Sequence, residues 1–334
     1  MVSTPPALFK NFKNSLPTPP GYPDKRQSTR HITGQYSFAP NTPMLWLLGT
    51  LGRRGLDGTL YAETMQQPSS IMAQYLARRD FTQSGSAFST PSSELVPGIK
   101  DAAPVMLKVA LIDEEARGSA LLQWWQGRGS ATALQRDQTA TLMIRATGSR
   151  NLIEMAHNDL DVVATQILTT TVLTLHDGKK PGPDVDLVPL RQWFSELLES
   201  TSTDPLIRVA ADLVEALLTE TRPEDERALH GDIHHGNVLD FGDRWAAIDP
   251  KGLVGHRVFD YVNILCNPST DVAIENLHNR LENICELARI DRALLARWTI
   301  AWCGLSLTWM QGGEGSSGLG RTTRQVAGTL LSDL

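Results

Sequence analysis

One short stretch of the chain carries two carboxylates and an amide at a spacing that few folds accommodate. Asn237 follows Asp232 by five residues, so a short loop can turn both side chains into one site. Asp249 follows Asn237 by twelve residues. Two apolar segments separated by a turn at 240–243 lie between them, which predicts a hairpin. The second strand of that hairpin would return Asp249 to the side of Asn237.

These three side chains match the needs of phosphoryl transfer. That reaction needs a group that orients or deprotonates the attacking hydroxyl, ligands for Mg²⁺, and a cation on the phosphates. Asp232 can serve the hydroxyl. Asn237 and Asp249 can hold the metal, because Mg²⁺ prefers hard oxygen ligands.

The residues His-Gly-Asp-x-x-x-x-Asn at 230–237, followed by Ile-Asp-Pro at 248–250, resemble the catalytic segment of the aminoglycoside phosphotransferases. The longer run at 229–255 resembles the streptomycin 6-kinase and hydroxyurea phosphotransferase branch of that family. The resemblance extends from about residue 75 to the C-terminus. It implies an α+β, protein-kinase-like fold, with a small β-rich N-lobe and a larger, mainly helical C-lobe.

The resemblance also implies an activity. An ATP- and Mg²⁺-dependent enzyme would phosphorylate a hydroxyl of a small molecule, with an aminoglycoside such as streptomycin favoured. Another small metabolite or hydroxyurea remains an alternative acceptor. Asp232 and His230 are the candidate catalytic residues, and His230 is expected to orient the loop rather than act as a base.

Two other interpretations of this segment remain open. His230, Asp232, His234 and His235 form a cluster of the kind that binds zinc in metal-dependent hydrolases. That interpretation leaves Asn237 and Asp249 without a role and needs further ligands that the sequence does not mark. A purely structural turn is the other possibility.

The nucleotide half of the site is predicted upstream. Lys108 lies inside an apolar strand at 104–111, and lysine is seldom buried without a partner. The resemblance implies that it binds the α- and β-phosphates and that a glutamate of the helix at 113–125 holds it. Glu115 matches the family's Glu-x-Arg-Gly pattern, with Glu114 as the second choice. A solvent-facing lysine on an edge strand is the alternative.

Two further segments are candidates for nucleotide binding. Ser92 and Ser93 lie where related kinases carry a glycine-rich loop, and serine amides and hydroxyls can donate to phosphate oxygens. A plain Ser/Pro loop is the alternative. Met143 and Arg145 fall where the family places its hinge between the lobes, whose backbone would bind adenine.

Three regions are expected along the chain: an extension at 1–70, the N-lobe at 71–146 and the C-lobe at 147–334. Residues 1–70 hold nine of the 19 prolines and show no helical or strand periodicity. Such a segment cannot easily bury enough apolar surface to offset its ordering entropy, so it is expected to be disordered or loosely attached. A tail that binds a partner or directs targeting is the alternative. A chain starting near Ala73 is expected to fold normally.

The substrate half is less well marked. Asp260 resembles an acidic position of the wider family and is expected to support the catalytic loop. The acids of the helix at 271–288 are expected to form a solvated face. The tryptophans of the last long helix are expected to lie in the core: Trp298, Trp302 and Trp309.

Composition limits the partners. The net charge of −6 and the pI near 5.8 argue against nucleic-acid binding, and no basic run is present. The longest apolar run is too short to span a bilayer, so no membrane partner is expected. A small cationic or polyol substrate is the expected partner, no protein partner is evident, and a cytoplasmic location is favoured.

Overall fold

The computed structural model describes residues 69–78, 81–178, 181–182, 185–310 and 318–334. The predicted extension therefore lies outside the described residues up to position 68. Among the described residues, a six-stranded antiparallel sheet comes first and a mainly helical part follows. This arrangement confirms the expected α+β class. The boundary proposed at 146/147 falls in the irregular segment between the last strand of the sheet and the next helix, and it stays a prediction.

The first part of the fold is built around one sheet with strand order β1-β3-β4-β6-β5, and β2 also pairs with β3. In chain order its elements are α1 (Ser70–Arg78), β1 (Thr82–Gln83), β2 (Phe88–Ser89), β3 (Ser93–Lys100), β4 (Ala103–Ala110), α2 (Asp113–Trp125), β5 (Ala133–Arg136) and β6 (Ala140–Ile144).

Strand β4 is the centre of this sheet, since it pairs with β3 on one side and β6 on the other. Its residues from 105 to 109 are buried, which explains the unbroken apolar run around Lys108. Lys108 lies opposite Leu95 on β3 and Thr141 on β6, and it is only 5% exposed. The alternative of a solvent-facing edge lysine is therefore wrong.

Eight helices and five short strands are described in the second part. The helices are α3 (Leu152–His157), α4 (Asp161–His176), α5 (Leu190–Trp193), α6 (Ser195–Leu198), α7 (Pro205–Glu220), α8 (Thr270–Ala288), α9 (Arg292–Met310) and α10 (Gly318–Asp333). The strands are β7 (Val188–Pro189), β8 (Glu226–Leu229), β9 (Val238–Asp240), β10 (Trp245–Ala247) and β11 (Leu253–His256). Two 3-10 helices, Pro223–Asp225 and Arg257–Cys266, complete it.

Local sequence accounts for the helices that form the base of this part. In α7, the Asp204 carboxylate caps the N-terminus by accepting from the Leu206 amide at 2.9 Å, and Pro205 occupies the first turn. The residues that α7 buries recur at helical spacing: Ile207, Ala210, Val214 and Leu217. Trp298 and Trp302 of α9 are buried as expected, whereas Trp309 is only partly buried. The acids of α8 are exposed as expected. No helix in the described ranges is long and apolar enough to cross a membrane.

The short strands position the predicted catalytic loop. Strands β9 and β10 pair antiparallel, which confirms the predicted hairpin. Strand β8 leads into the loop and pairs with β11, which follows Asp249. The loop and Asp249 are therefore held at both ends by backbone hydrogen bonds, so their side chains are fixed relative to one another.

Helix α2 packs directly on the segment that follows Asp249. A Cβ added to Gly118 would lie 1.9 Å from the carbonyl oxygen of Pro250, so only glycine allows this approach. Gly252 has φ of +70°, a left-handed conformation that favours glycine, and its added Cβ would lie 3.3 Å from Arg117. This contact fixes α2 relative to Asp249.

Helix α2 begins without a side-chain cap. Ile112 is its N-cap residue, and Asp113 lies in the first turn. There, with Glu114 and Glu115, its carboxylate faces the positive end of the helix dipole. A chain starting near Ala73 would lack part of α1, because this helix begins at Ser70 and the Ser69 hydroxyl donates to Glu94 at 2.6 Å. These contacts argue against the expectation that such a chain folds normally.

Substitutions in α1 test whether this helix is part of the folded core. Met72 is fully buried against the sheet, whereas its neighbour Ile71 is 44% exposed. We expect Met72→Ala to lower the free energy of unfolding by about 2–5 kcal/mol. Ile71→Ala should change it by less than about 1 kcal/mol. Denaturant unfolding measures the free energy of unfolding of both variants. Equal values for the two would show that α1 does not pack on the sheet.

A matched pair of glycine substitutions tests the contact between α2 and Pro250. Gly118→Ala forces the helix away from the Pro250 carbonyl and should destabilise the protein by about 1–3 kcal/mol. Gly328 lies in α10 with no atom within 4 Å of its added Cβ. Gly328→Ala should therefore stabilise the protein by about 0.5–1 kcal/mol. The account of this contact fails if both variants unfold at the same denaturant concentration.

Candidate active site

Lys108 joins the two parts of the site. Its ammonium forms ion pairs with Glu115 of α2 and with Asp249 beyond β10. Burial works against the charged form of Lys108, but the two carboxylates outweigh it and raise its pKa. Burial likewise opposes ionisation of Asp249, yet Lys108 and Lys251 hold its pKa well below the usual range. Lys108 and Asp249 are therefore ionised, and they interact strongly because little water screens them.

Glu115 rather than Glu114 occupies the position against Lys108. Its second carboxylate oxygen, Oε1, accepts a hydrogen bond from the Ser92 hydroxyl at 2.8 Å. Glu114 instead forms an ion pair with Lys251, with Nζ 3.2 Å from Oε1. The choice of Glu115 over Glu114 thus agrees with the geometry.

Ser92 lies at the end of the tight turn between β2 and β3, Ser93 is the first residue of β3, and both are buried. The Ser93 amide donates to the Thr90 hydroxyl oxygen at 3.0 Å, so it is not available to a phosphate. The Ser93 hydroxyl has no hydrogen-bond partner among the described residues. A buried hydroxyl without a partner is uncommon, and a ligand oxygen could satisfy it.

The predicted hinge segment begins inside the sheet. Met143 lies inside β6, opposite Met106 on β4 and Ala133 on β5. The Arg145 amide donates to the Pro104 carbonyl at 3.0 Å, so it cannot also bind adenine. This geometry excludes the Arg145 amide as a contact of adenine, whereas binding by other backbone groups of the segment stays a prediction. Ala146 is the next amide along, and the described residues offer it no partner.

Asp260 holds the catalytic loop by its backbone. Its carboxylate accepts from the amides of His230 at 2.9 Å and Gly231 at 2.7 Å, and His176 Nε2 lies 2.8 Å from the same carboxylate. Gly231 has φ of +82°, which favours glycine. Asp260 therefore has the supporting role that was predicted for it.

His230 is an orienting residue. It is fully buried, its Nε2 lies 2.8 Å from the Ile248 carbonyl, and its Nδ1 accepts from the Asp232 amide at 3.3 Å. Burial lowers its pKa, so the ring is neutral and Nε2 carries the proton. Both nitrogens are occupied, so no part of the imidazole is free to act on a substrate.

Two amides orient the Asp232 carboxylate. Asn237 Nδ2 donates to its Oδ2 at 3.1 Å and to the Asp232 carbonyl at 2.9 Å. Asn263 Nδ2 donates to its Oδ1 at 2.6 Å. Sequence reasoning missed Asn263, because the residue lies 31 positions away in the 3-10 helix and belongs to no motif. The only signal was its place three residues after Asp260.

Asn237 and Asp249 supply oxygen ligands of the kind that a divalent cation needs. Both hydrogen bonds of the Asn237 side chain leave from Nδ2, and among the described residues nothing donates to its Oδ1. Asp249 has φ of +64°, the left-handed conformation that asparagine and aspartate tolerate best. An amide oxygen and a carboxylate fit Mg²⁺ rather than a soft metal.

The histidines do not form a zinc site. His234 Nδ1 accepts from the Gly236 amide at 3.0 Å, and His235 is 1% exposed with neither ring nitrogen partnered by a described residue. Burial lowers the pKa of both rings. Across the described residues, no three His, Cys, Asp or Glu side chains are grouped to hold a metal ion. The geometry therefore disfavours the hydrolase interpretation.

Comparison with known proteins supports one family. A sequence model for the aminoglycoside/hydroxyurea antibiotic resistance kinases matches residues 78–313. A streptomycin 3″-kinase from Klebsiella pneumoniae is 40% identical over 236 residues, which cover 68% of this chain and 88% of that protein. A streptomycin 6-kinase from Streptomyces griseus is 28% identical over 252 residues, which cover 70% of this chain and 79% of that protein.

A solved structure agrees with the fold. The amicoumacin kinase hAmiN in complex with AMP-PNP, Ca²⁺ and Ami superposes with a TM-score of 0.57 at 13% identity, covering 78% of this chain and 94% of that one. This likeness confirms the protein-kinase-like fold. By its sequence matches, the chain belongs to the aminoglycoside/hydroxyurea antibiotic resistance kinases, and it is a phosphotransferase that acts on a hydroxyl group.

Proposed function

We propose that this protein transfers the γ-phosphoryl group of Mg²⁺-bound ATP to a hydroxyl of streptomycin. One observation carries the proposal: Lys108, Glu115 and Asp249 meet in a single contact, beside a loop that presents an oriented Asp232 carboxylate. The site thus holds a phosphate-binding cation, a metal ligand and a group for the acceptor hydroxyl. Phosphoryl transfer needs these parts and little covalent chemistry.

Asp232 acts on the acceptor. Its two oxygens are oriented by Asn237 and Asn263, so the carboxylate meets an incoming hydroxyl in a fixed direction. It accepts or orients the hydroxyl proton as the oxygen attacks the γ-phosphorus. Holding the reacting groups in this geometry lowers the entropic part of the barrier.

Nucleotide binding falls to the first part of the fold. The ion pair with Glu115 holds the Lys108 ammonium in position to contact the α- and β-phosphates of ATP. The Ser92 hydroxyl in turn donates to Glu115 Oε1 and fixes that carboxylate. The free Ser93 hydroxyl, one residue further along the chain, is a donor. Met143 and the backbone around Ala146 are the proposed contacts of the adenine.

Mg²⁺ would be held by Asn237 Oδ1 and the Asp249 carboxylate. When bound, the metal neutralises charge on the β- and γ-phosphate oxygens. Asp249 would then pair with both Lys108 and the metal. Its lowered pKa keeps the carboxylate ionised, as both interactions require.

Streptomycin fits the charge of the site. Around the catalytic loop, the carboxylates of Glu114, Glu115, Asp232 and Asp249 face two lysines, Lys108 and Lys251. The excess negative charge favours Mg²⁺ and a substrate with guanidinium groups. Among the relatives compared, the 40% identical protein is a 3″-kinase, so we propose the 3″-hydroxyl as the acceptor.

A coupled ADP-release assay with ATP and Mg²⁺ tests the substrate. Streptomycin should give turnover that weakens with added salt, because screening reduces capture of a cationic drug. The product should carry one phosphoryl group, assigned to the 3″-position by NMR. Turnover on hydroxyurea alone would reject streptomycin within the same family, and turnover only on a neutral sugar would reject the resistance function.

The same assay tests the role of Asp232. Asp232→Ala should lower kcat by about 10²–10⁴-fold, because it removes the acid–base group. AMP-PNP affinity should be largely kept. Asp243→Ala is the matched control, since Asp243 is an exposed carboxylate in the β9–β10 turn. Near wild-type turnover of Asp232→Ala would contradict the assignment.

A further inference from the structure

Lys251 is a buried cation that the roles assigned above leave unused. It follows Asp249 by two residues, and its side chain is 10% exposed. A buried ammonium loses its hydration and persists only where carboxylates compensate. Lys251 therefore either stabilises the fold through its ion pair or takes part in the function of the site.

The backbone holds Lys251 against the catalytic loop. Its amide donates to the His230 carbonyl at 2.7 Å. Its own Cβ would lie 3.2 Å from a Cβ added to Gly231, the residue before Asp232. Gly252 and the contact between Gly118 and Pro250 fix the chain on the other side. The Lys251 side chain therefore leaves the backbone from a rigid segment, between Asp249 and the catalytic loop.

Lys251 interacts with carboxylates that belong to the site. Its ion pair with Glu114 is 3.2 Å long, yet the Glu114 side chain is 23% exposed and the lysine is the more buried partner. Besides Glu114, the negative charges of Asp232, Asp249 and Glu115 act favourably on its ammonium. Asp232 and Asp249 belong to the reacting centre, and a structural ion pair at the surface would not need to involve them.

We propose that Lys251 is a second phosphate-directed cation, which faces the oxygens of the γ-phosphoryl group when nucleotide is bound. This inference rests on the proposed function and adds a catalytic residue to it. Lys108 binds the nucleotide from β4, and Lys251 approaches from the catalytic loop. Glu114 holds the ammonium in the absence of nucleotide.

The step is an in-line displacement. The acceptor oxygen forms a bond to the γ-phosphorus while the bond from that phosphorus to the bridging oxygen of ATP breaks, and ADP leaves with the bond's electron pair. The hydroxyl proton passes to Asp232. Negative charge on the three oxygens of the transferring group is stabilised by Lys251, in a site from which water is largely excluded.

Three variants distinguish contact of Lys251 with the γ-phosphoryl group from a purely structural ion pair with Glu114. Lys251→Met removes the cation, Lys251→Arg keeps a charge, and Glu114→Gln breaks the same ion pair while keeping the lysine. For each variant, kcat, the melting temperature and the dissociation constants of Mg²⁺–AMP-PNP and Mg²⁺–ADP are measured. The two nucleotides differ in the γ-group, so their affinity ratio reports contacts to that group.

Lys251→Met should lower kcat by about 100-fold, the usual cost of losing one such donor. It should weaken AMP-PNP relative to ADP by about tenfold, since a charge-assisted contact is lost. Lys251→Arg should recover most of that affinity ratio, and Glu114→Gln should keep it near the wild-type value.

An unchanged AMP-PNP to ADP ratio in Lys251→Met would overturn the inference, as would equal effects of Lys251→Met and Glu114→Gln on kcat and ratio. If Lys251→Met does not fold, the arginine variant decides: a ratio reduced as far as tenfold despite the retained charge would count against the inference. Failure of the wild-type protein to bind either nucleotide would instead reject the proposed function.

Discussion

The ion pairs of Lys108 are the interaction on which the site depends. Lys108 comes from the centre of the first sheet, Glu115 from helix α2 and Asp249 from the end of a hairpin 141 residues further on. A lysine buried in β4 is unstable without both carboxylates, and both carboxylates need its charge. Their mutual dependence brings the nucleotide-binding and metal-binding groups together before any ligand arrives.

Rigid packing around this contact keeps the groups in place. The close approach of Gly118 to Pro250 fixes α2 against the Asp249 segment. Asp260 fixes the catalytic loop by its backbone amides. The arrangement resembles a preorganised site, in which side chains are oriented by packing and hydrogen bonds rather than by the substrate.

Sequence predicted the parts of the site that local spacing determines. The distance from Asp232 to Asn237 and the hairpin pattern before Asp249 both depend on neighbouring residues, so both were readable. Asn263 acts across a folded distance and belongs to no spacing rule. Lys251 lies two residues after Asp249, but its burial and its pairing with Glu114 depend on the folded structure. The hinge donor depends on how β6 pairs with β4, which sets whether the Arg145 amide is used. Helix α1 was missed because its nine residues follow a proline-rich segment and are too few to be stable without contacts to the sheet, such as those of Ser69 and Met72.

A crystal structure with Mg²⁺ and AMP-PNP tests the central claim most directly. The account predicts one metal ion bound by Asn237 Oδ1 and the Asp249 carboxylate, with Lys108 still paired to Glu115 and contacting the α- and β-phosphates. Nucleotide bound away from Lys108, or a metal ion held by His234 and His235, would contradict it.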